Sequence, residues 1–226
     1  MNDIMPRPTV SQGGGKVDKV NPLHKRAARI LQGTATYQDR FVPDHEELKQ
    51  IIAHLQSMGS VVVFTTGVWD LFHIGHAEYI QRGKEEARKL YPDAEHIIMV
   101  LGVDTDELTK VRKGPKRPIV PENERCRILS QLRTVDLLTL QYEPNQLYKT
   151  VDHHVRVIST STQDLPDDYE EIRNECEHLV NLPPQAETST SARIRLLAMD
   201  GKLETLAAFR ERFERLFKEM SDELER

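Results

Sequence analysis

The sequence predicts an α/β fold: an open, mostly parallel sheet with helices on both faces, followed by a C-terminal helical extension. Three observations predict it. Residues 60–66 hold Val61, Val62, Val63 and Phe64 in one run, the signature of a parallel strand covered on both faces. Residues 97–103 repeat that pattern. Stretches with helical apolar spacing lie before, between and after such runs, so helices and strands alternate along the chain.

Taken in order, residues 1 to about 20 combine Pro6, Pro8 and the run Gly13, Gly14, Gly15 with few apolar side chains. Burial there is too small to offset chain entropy, and a mobile tail is expected. Residues 1–42 as a whole read as an N-terminal extension, partly mobile. From Pro43 the pattern changes: Asp44 can cap a helix whose apolar positions Leu48, Ile51, Ile52 and Leu55 recur at helical spacing until Gly59 ends it. The strand at 60–66 follows, broken by Gly67. A helix over 75–90, the strand at 97–103, a loop over 113–121, a helix from Pro121 through Leu132, a third strand at 135–140 and a shorter fourth at 155–158 continue the alternation. His153 and His154 read as the start of that fourth strand, and Cys126 as helix packing. Residues 43–200 therefore form one Rossmann-like domain, whose ligands bind beyond the carboxyl ends of the strands. Residues 201–226, with Leu203, Leu206, Phe209, Phe213, Leu216 and Phe217, form an amphipathic C-terminal helix.

The totals narrow the function. A chain of 226 residues buries one core, with extensions rather than a second full domain. Its formal charge of -5 lacks the basic footprint that a phosphate backbone demands, so no nucleic-acid partner is expected. Cys126 and Cys176 are its only cysteines, too few for a disulfide framework or a CxxC metal site. The first 20 residues carry no apolar signal region and no run of 18 apolar residues occurs, so a cytoplasmic protein without a membrane span is expected.

The chemistry concentrates in GVWDLFHIGH, residues 67–76, where the first buried strand turns into its helix. Backbone N–H groups at a helix N-terminus favour an anion. His73 and His76, three residues apart with Gly75 between them, can both face a phosphate and stabilise charge developing on its oxygens. A zinc site is disfavoured, because helical metal pairs use HExxH spacing and no third ligand is marked.

This segment is similar to the first signature of the cytidylyltransferase-like nucleotidyltransferases, the family of glycerol-3-phosphate and phosphocholine cytidylyltransferases and heptose-1-phosphate adenylyltransferases. The similarity covers residues 45–200. It implies that His73 and His76 are catalytic and touch the NTP phosphates, and that Thr66, Gly67, Val68, Trp69 and Gly75 line the nucleotide. Trp69 stands where phenylalanine or another aromatic is usual. Asp70 matches the motif aspartate and is assigned to the acceptor side. Class I aminoacyl-tRNA synthetases share the letters HIGH, but this chain is short for one, and its nearest lysine motif, KEMSD, lies in a helical pattern.

The segment VRKGPKRPIVPENER, residues 111–125, is a cationic loop stiffened by prolines, able to clamp a triphosphate or simply to be solvated. It is similar to the KGxxRPI stretch of the heptose adenylyltransferases, which makes Lys113 the first choice for a catalytic, phosphate-binding lysine, with Arg117 on the nucleotide and Arg125 on the acceptor. Farther on, Thr188, Ser189, Thr190 and Ser191 precede a helical pattern and resemble the family's ISTS signature, whose hydroxyls and amides hold the NTP phosphates. Arg193 and Arg195 can add positive charge behind it.

The resemblance implies transfer of a nucleoside monophosphate from a Mg²⁺-bound NTP to a sugar phosphate or alditol phosphate. DLFHIGH and TSTS lean toward CTP, whereas KGPKRPI leans toward ATP; CTP is slightly favoured. No side chain is assigned to the metal, although Asp104 and Asp106 in GVDTDE follow the second strand and can reach metal or acceptor. The alternative is a nucleotide-binding sensor or scaffold of the same fold, with the last helix engaging a partner or, in a homodimer, a second subunit.

Overall fold

The computed structural model describes residues 21–160 and 173–185, together with Glu211. In chain order the elements are α1 (Pro22–Leu31), α2 (Tyr37–Arg40), α3 (His45–Ser57), β1 (Ser60–Gly67), α4 (Ile74–Leu90), β2 (His96–Asp104), α5 (Asp106–Lys113), α6 (Glu122–Ser130), β3 (Leu137–Gln141), α7 (Gln146–Thr150), β4 (Val155–Ser159) and β5 (His178–Leu182). The strands form one parallel sheet in the order β3-β2-β1-β4-β5, and β1, at its centre, is paired over its whole length with β2.

Alternation along β1 divides the core. Val62 and Phe64 point to one face, where they meet Ala27 and Ile30 of α1, Leu48, Ile51, Ile52 and Leu55 of α3, and Leu147 and Tyr148 of α7. Val61 and Val63 point to the other, against Ile80 and Ala87 of α4 and Cys126 and Leu129 of α6. The α/β sheet with helices on both faces is thus the fold expected from the sequence. Asp44 caps α3 as expected, its carboxylate accepting from the amides of Glu46 and Glu47 at 2.9 Å each.

Five elements, α1, α2, α5, α7 and β5, go beyond the sequence reading. Residues 22–42, read as part of an extension, pack into the domain. Asn21 caps α1, Ala27 and Ile30 are buried, and Arg26 bonds Glu47 at 2.7 Å and the carbonyls of Asp39, Gln38 and Phe41. The short helices α5 and α7 and the edge strand β5 also arise where no periodicity announced them, because runs of five to eight residues carry too few turns to show one. The tail over residues 1–20 and the helix over 201–226 lie outside the described residues, Glu211 apart.

Gly102 of β2 marks where the sheet leaves no room. A Cβ built on it would lie 2.6 Å from both Leu147 Cδ1 and Thr66 Cγ2. Gly102→Ala is expected to cost about 1–3 kcal/mol by overpacking, read as a lower urea midpoint with an unchanged slope. An unshifted midpoint would show that α7 yields without cost.

Candidate active site

The turn from β1 into α4 is held in a conformation that few side chains adopt. Trp69 and Leu71 have φ of 57° and 45°, a left-handed geometry costing non-glycine residues about 1–3 kcal/mol. Burial of the Trp69 ring and an indole N–H bond to the Gly102 carbonyl at 2.9 Å oppose that cost. Gly67 lies close beneath it: a Cβ there would sit 3.1 Å from the indole, so the ring would have to give by a few tenths of an ångström.

His73 is the N-cap of α4, its Nδ1 accepting from the Gly75 amide at 3.1 Å. An accepting Nδ1 puts the proton of the neutral ring on Nε2. The Gly75 N–H, expected to lie on the nucleotide, is committed to this cap. His76 stacks on His73, ring centroids 4.0 Å apart and planes 25° apart, with the rings of Trp69 and Phe72 at 5.6 and 5.5 Å. Burial, then the neighbouring His73, lower the His76 pKa to about 4 against an opposing pull from Asp70. The His76 imidazole is therefore neutral at pH 7 and acts as a dipole rather than a fixed cation.

His153, just before β4, is likewise held near 4, chiefly by burial. The unfolded chain protonates such histidines near pH 6.5, the folded chain only near 4. Between these values the folded state binds fewer protons, so stability is full above about pH 6.5 and falls as pH drops toward 4. Each ring contributes on the order of 2–3 kcal/mol to that loss. His153→Gln should flatten the decline between pH 7 and 4.5 in urea unfolding; an unchanged slope would refute the assignment.

Two residues expected to face the acceptor instead tie the turn to the basic loop. Asp70 is buried; one carboxylate oxygen accepts from Arg117 Nε and the Ile119 amide and the other from the Val120 amide, all at 2.9 Å. Burial pushes this carboxyl up, but the two amides and the guanidinium outweigh it and hold the pKa below the ordinary value. Arg125, 1% exposed, donates from Nε to the Val120 carbonyl at 2.9 Å, from Nη1 to the Val68 carbonyl, and from Nη2 to Asp106 at 2.6 Å. Val68 and Arg117, expected on the nucleotide, enter this network through its carbonyl and its guanidinium. The reason is burial: a carboxylate and a guanidinium enclosed between the turn and α6 must find protein partners.

Lys113 ends α5 and is exposed, where Gly114 at φ 96° turns the chain into the loop that returns to Asp70. Asp104 is fully buried between Arg112 at 2.6 Å and Gln141 at 2.9 Å, and Asp106 is paired with Arg125. Burial raises the Asp104 pKa despite Arg112. Both carboxylates considered for metal are thus engaged by arginines, and among the described residues no cluster of three His, Cys, Asp or Glu side chains forms. A carboxylate already paired with an arginine does not fit a protein-ligated cation. Thr188, Ser189, Thr190 and Ser191 lie outside the described residues.

The sequence reading missed Arg156, whose only local signal is a charge inside the apolar run VRVIS. It is 4% exposed, its guanidinium lies 4.4 Å from the Phe64 ring centroid, and Nη2 donates to Thr66 Oγ1 at 3.3 Å. Nε and Nη1 are buried with no hydrogen-bond partner among the described residues. Burial lowers the pKa to about 10, and among the described residues the groups that act on the guanidinium are Tyr79, Cys176 and Tyr148, with no carboxylate among them. A cation–π contact of about 2 kcal/mol and one long hydroxyl bond do not offset the several kcal/mol that burying an unpaired guanidinium costs.

A parallel sheet with a stacked histidine pair at the helix N-terminus beyond its central strand, and a cationic loop anchored beside it, defines an α/β nucleotidyltransferase. The cytidylyltransferase-like family model matches residues 64–197, from mid-β1 past the described end of the sheet, and the chain belongs to that family. It is similar to the bifunctional protein HldE of Aliarcobacter butzleri, 37% identical over 114 residues, which are 50% of this chain and 22% of that protein. The HldE of a Nitratiruptor species is 33% identical over 121 residues, 53% of this chain and 24% of its own length. The chain thus spans about a quarter of these curated relatives. A lipopolysaccharide core biosynthesis protein of Thermoplasma volcanium has a solved structure with a TM-score of 0.41 and 26% identity, over 54% of this chain and 95% of that one. No helix among the described residues is long and apolar enough to cross a membrane.

Proposed function

We propose that the protein transfers a nucleoside monophosphate from an NTP to the phosphate of a sugar phosphate or alditol phosphate, releasing pyrophosphate. The observation that carries this reading is the His73–His76 stack at 4.0 Å, at the N-terminus of a 17-residue helix beyond the carboxyl end of β1. A phosphate oxygen of the acceptor bonds to the α-phosphorus while the bond to the bridging oxygen breaks, and pyrophosphate leaves with that electron pair. The acceptor phosphate, with a second pKa of about 6, is already ionised at neutral pH, so no general base is needed. Catalysis then rests on positioning and on stabilising charge.

In this reading Nε2–H of His73 and the neutral His76 ring bond the phosphate oxygens, Lys113 neutralises the triphosphate, and Ser189, Thr190 and Ser191 receive the leaving pyrophosphate. Mg²⁺ enters as the counter-ion of the NTP. The loop similar to the heptose adenylyltransferases is the one that Asp70 and Arg125 lock to the turn. Together with the similarity to the HldE proteins, this supports ATP ahead of the CTP favoured on the histidine motif alone.

The test is pyrophosphate release by the full chain with MgATP or MgCTP against a panel of sugar and alditol phosphates. Turnover with ATP and a sugar phosphate is expected. Turnover with CTP alone would return the base to the first expectation, and a folded protein that binds nucleotide but releases no pyrophosphate with any pair would overturn the reading.

A further inference from the structure

We propose that Arg156 is an anion receptor for the second substrate, holding a phosphate or carboxylate oxyanion distinct from the phosphate that reacts. The guanidinium is buried, two of its nitrogens have no acceptor among the described residues, and its third reaches Thr66 Oγ1 one residue before the GVWDLFHIGH turn. It therefore points along the carboxyl end of β1, where a ligand of this fold binds.

The two faces of β1 explain why this is not the nucleotide's phosphate site. Thr65 points toward α4, its hydroxyl 3.1 Å from Tyr79, and Trp69 belongs to the same side of the core. Phe64 and Tyr148 belong to the opposite side, and Arg156, in register with Phe64, lies with them. The histidine pair and Arg156 thus approach the sheet edge from opposite faces of one strand. A single phosphate chain on the histidines leaves the guanidinium without an anion, whereas an acceptor bearing a second anionic group spans the strand and supplies one. A planar guanidinium that is always charged and still has N–H groups to give on Nε and Nη1 suits an oxyanion. The identity of the ligand rests on the nucleotidyl-transfer reading, but binding can be read without turnover, so an inactive protein in the pyrophosphate assay leaves it testable.

The experiment is calorimetric titration of the full-length protein and of R156M with inorganic phosphate and, separately, with pyrophosphate. R156M is expected to weaken phosphate binding by at least about tenfold and to leave pyrophosphate within about twofold. Its unliganded melting temperature should equal or exceed that of the parent, because an unpaired buried charge has been replaced by an apolar side chain of similar length. Unchanged phosphate affinity, or equal weakening of both anions, would overturn the proposal. Should R156M fail to fold, hydrogen exchange on the unmodified protein decides. Phosphate is expected to protect the amides of residues 155–159, and no added protection there would refute the site.

Discussion

His76→Ala is expected to lower kcat by about 100- to 1,000-fold, the loss typical of one donor aimed at developing charge, with a much smaller change in KM for the NTP. The reason is geometric. The His76 ring is stacked on His73 and enclosed by Trp69 and Phe72, so no other described side chain occupies its place. Because burial and His73 hold its pKa near 4, the ring stays neutral through the physiological range. The kcat of the parent enzyme should therefore show no limb between pH 6 and 8 arising from His76, and a limb that disappears in the variant would refute the neutral assignment. Steady-state pyrophosphate release, with the melting curve as a folding control, decides the rest: turnover within a few-fold of the parent in a folded variant would remove His76 from the chemistry.

Asp70→Ala is expected to have the largest effect on the basic loop. It strands the amides of Ile119 and Val120 and the Arg117 guanidinium together, and each buried donor left without an acceptor costs about 1–3 kcal/mol. A stability loss of about 3 kcal/mol or more is expected, with a raised KM for the NTP, because the loop that carries Arg117 is no longer tied to the turn before the histidines. Asp70→Asn, which keeps an acceptor but not the charge, should fall between. The pH dependence has a definite sign: the folded pKa lies below the unfolded one, so the Asp70 contribution is complete above about pH 4 and is lost as pH falls through the folded value. The alanine variant should lack that most acidic part of the decline. Equal stability of D70A and parent at pH 7 would show that the loop does not depend on this carboxylate.

What the sequence by itself determined is local in origin. The apolar run of β1, the helical spacing before it, the Asp44 cap and the strand-to-helix motif each depend on neighbours within a turn or a strand, so period and punctuation suffice to read them. The histidine pair was legible for the same reason, since two rings three residues apart at a helix start share one face whatever surrounds them. The tertiary structure alone decided what the charged residues do. Asp70 meets Val120 across 50 residues, Arg125 meets Val68 across 57, and Arg156 meets Thr66 across 90. A sequence pattern shows that such a residue is charged, but not which carbonyl, amide or hydroxyl is brought to it when the sheet closes. Burial in a low-dielectric interior then settles the outcome: Asp70 and Arg125 take protein partners and brace the site, whereas Arg156 is enclosed with two nitrogens unpaired among the described residues.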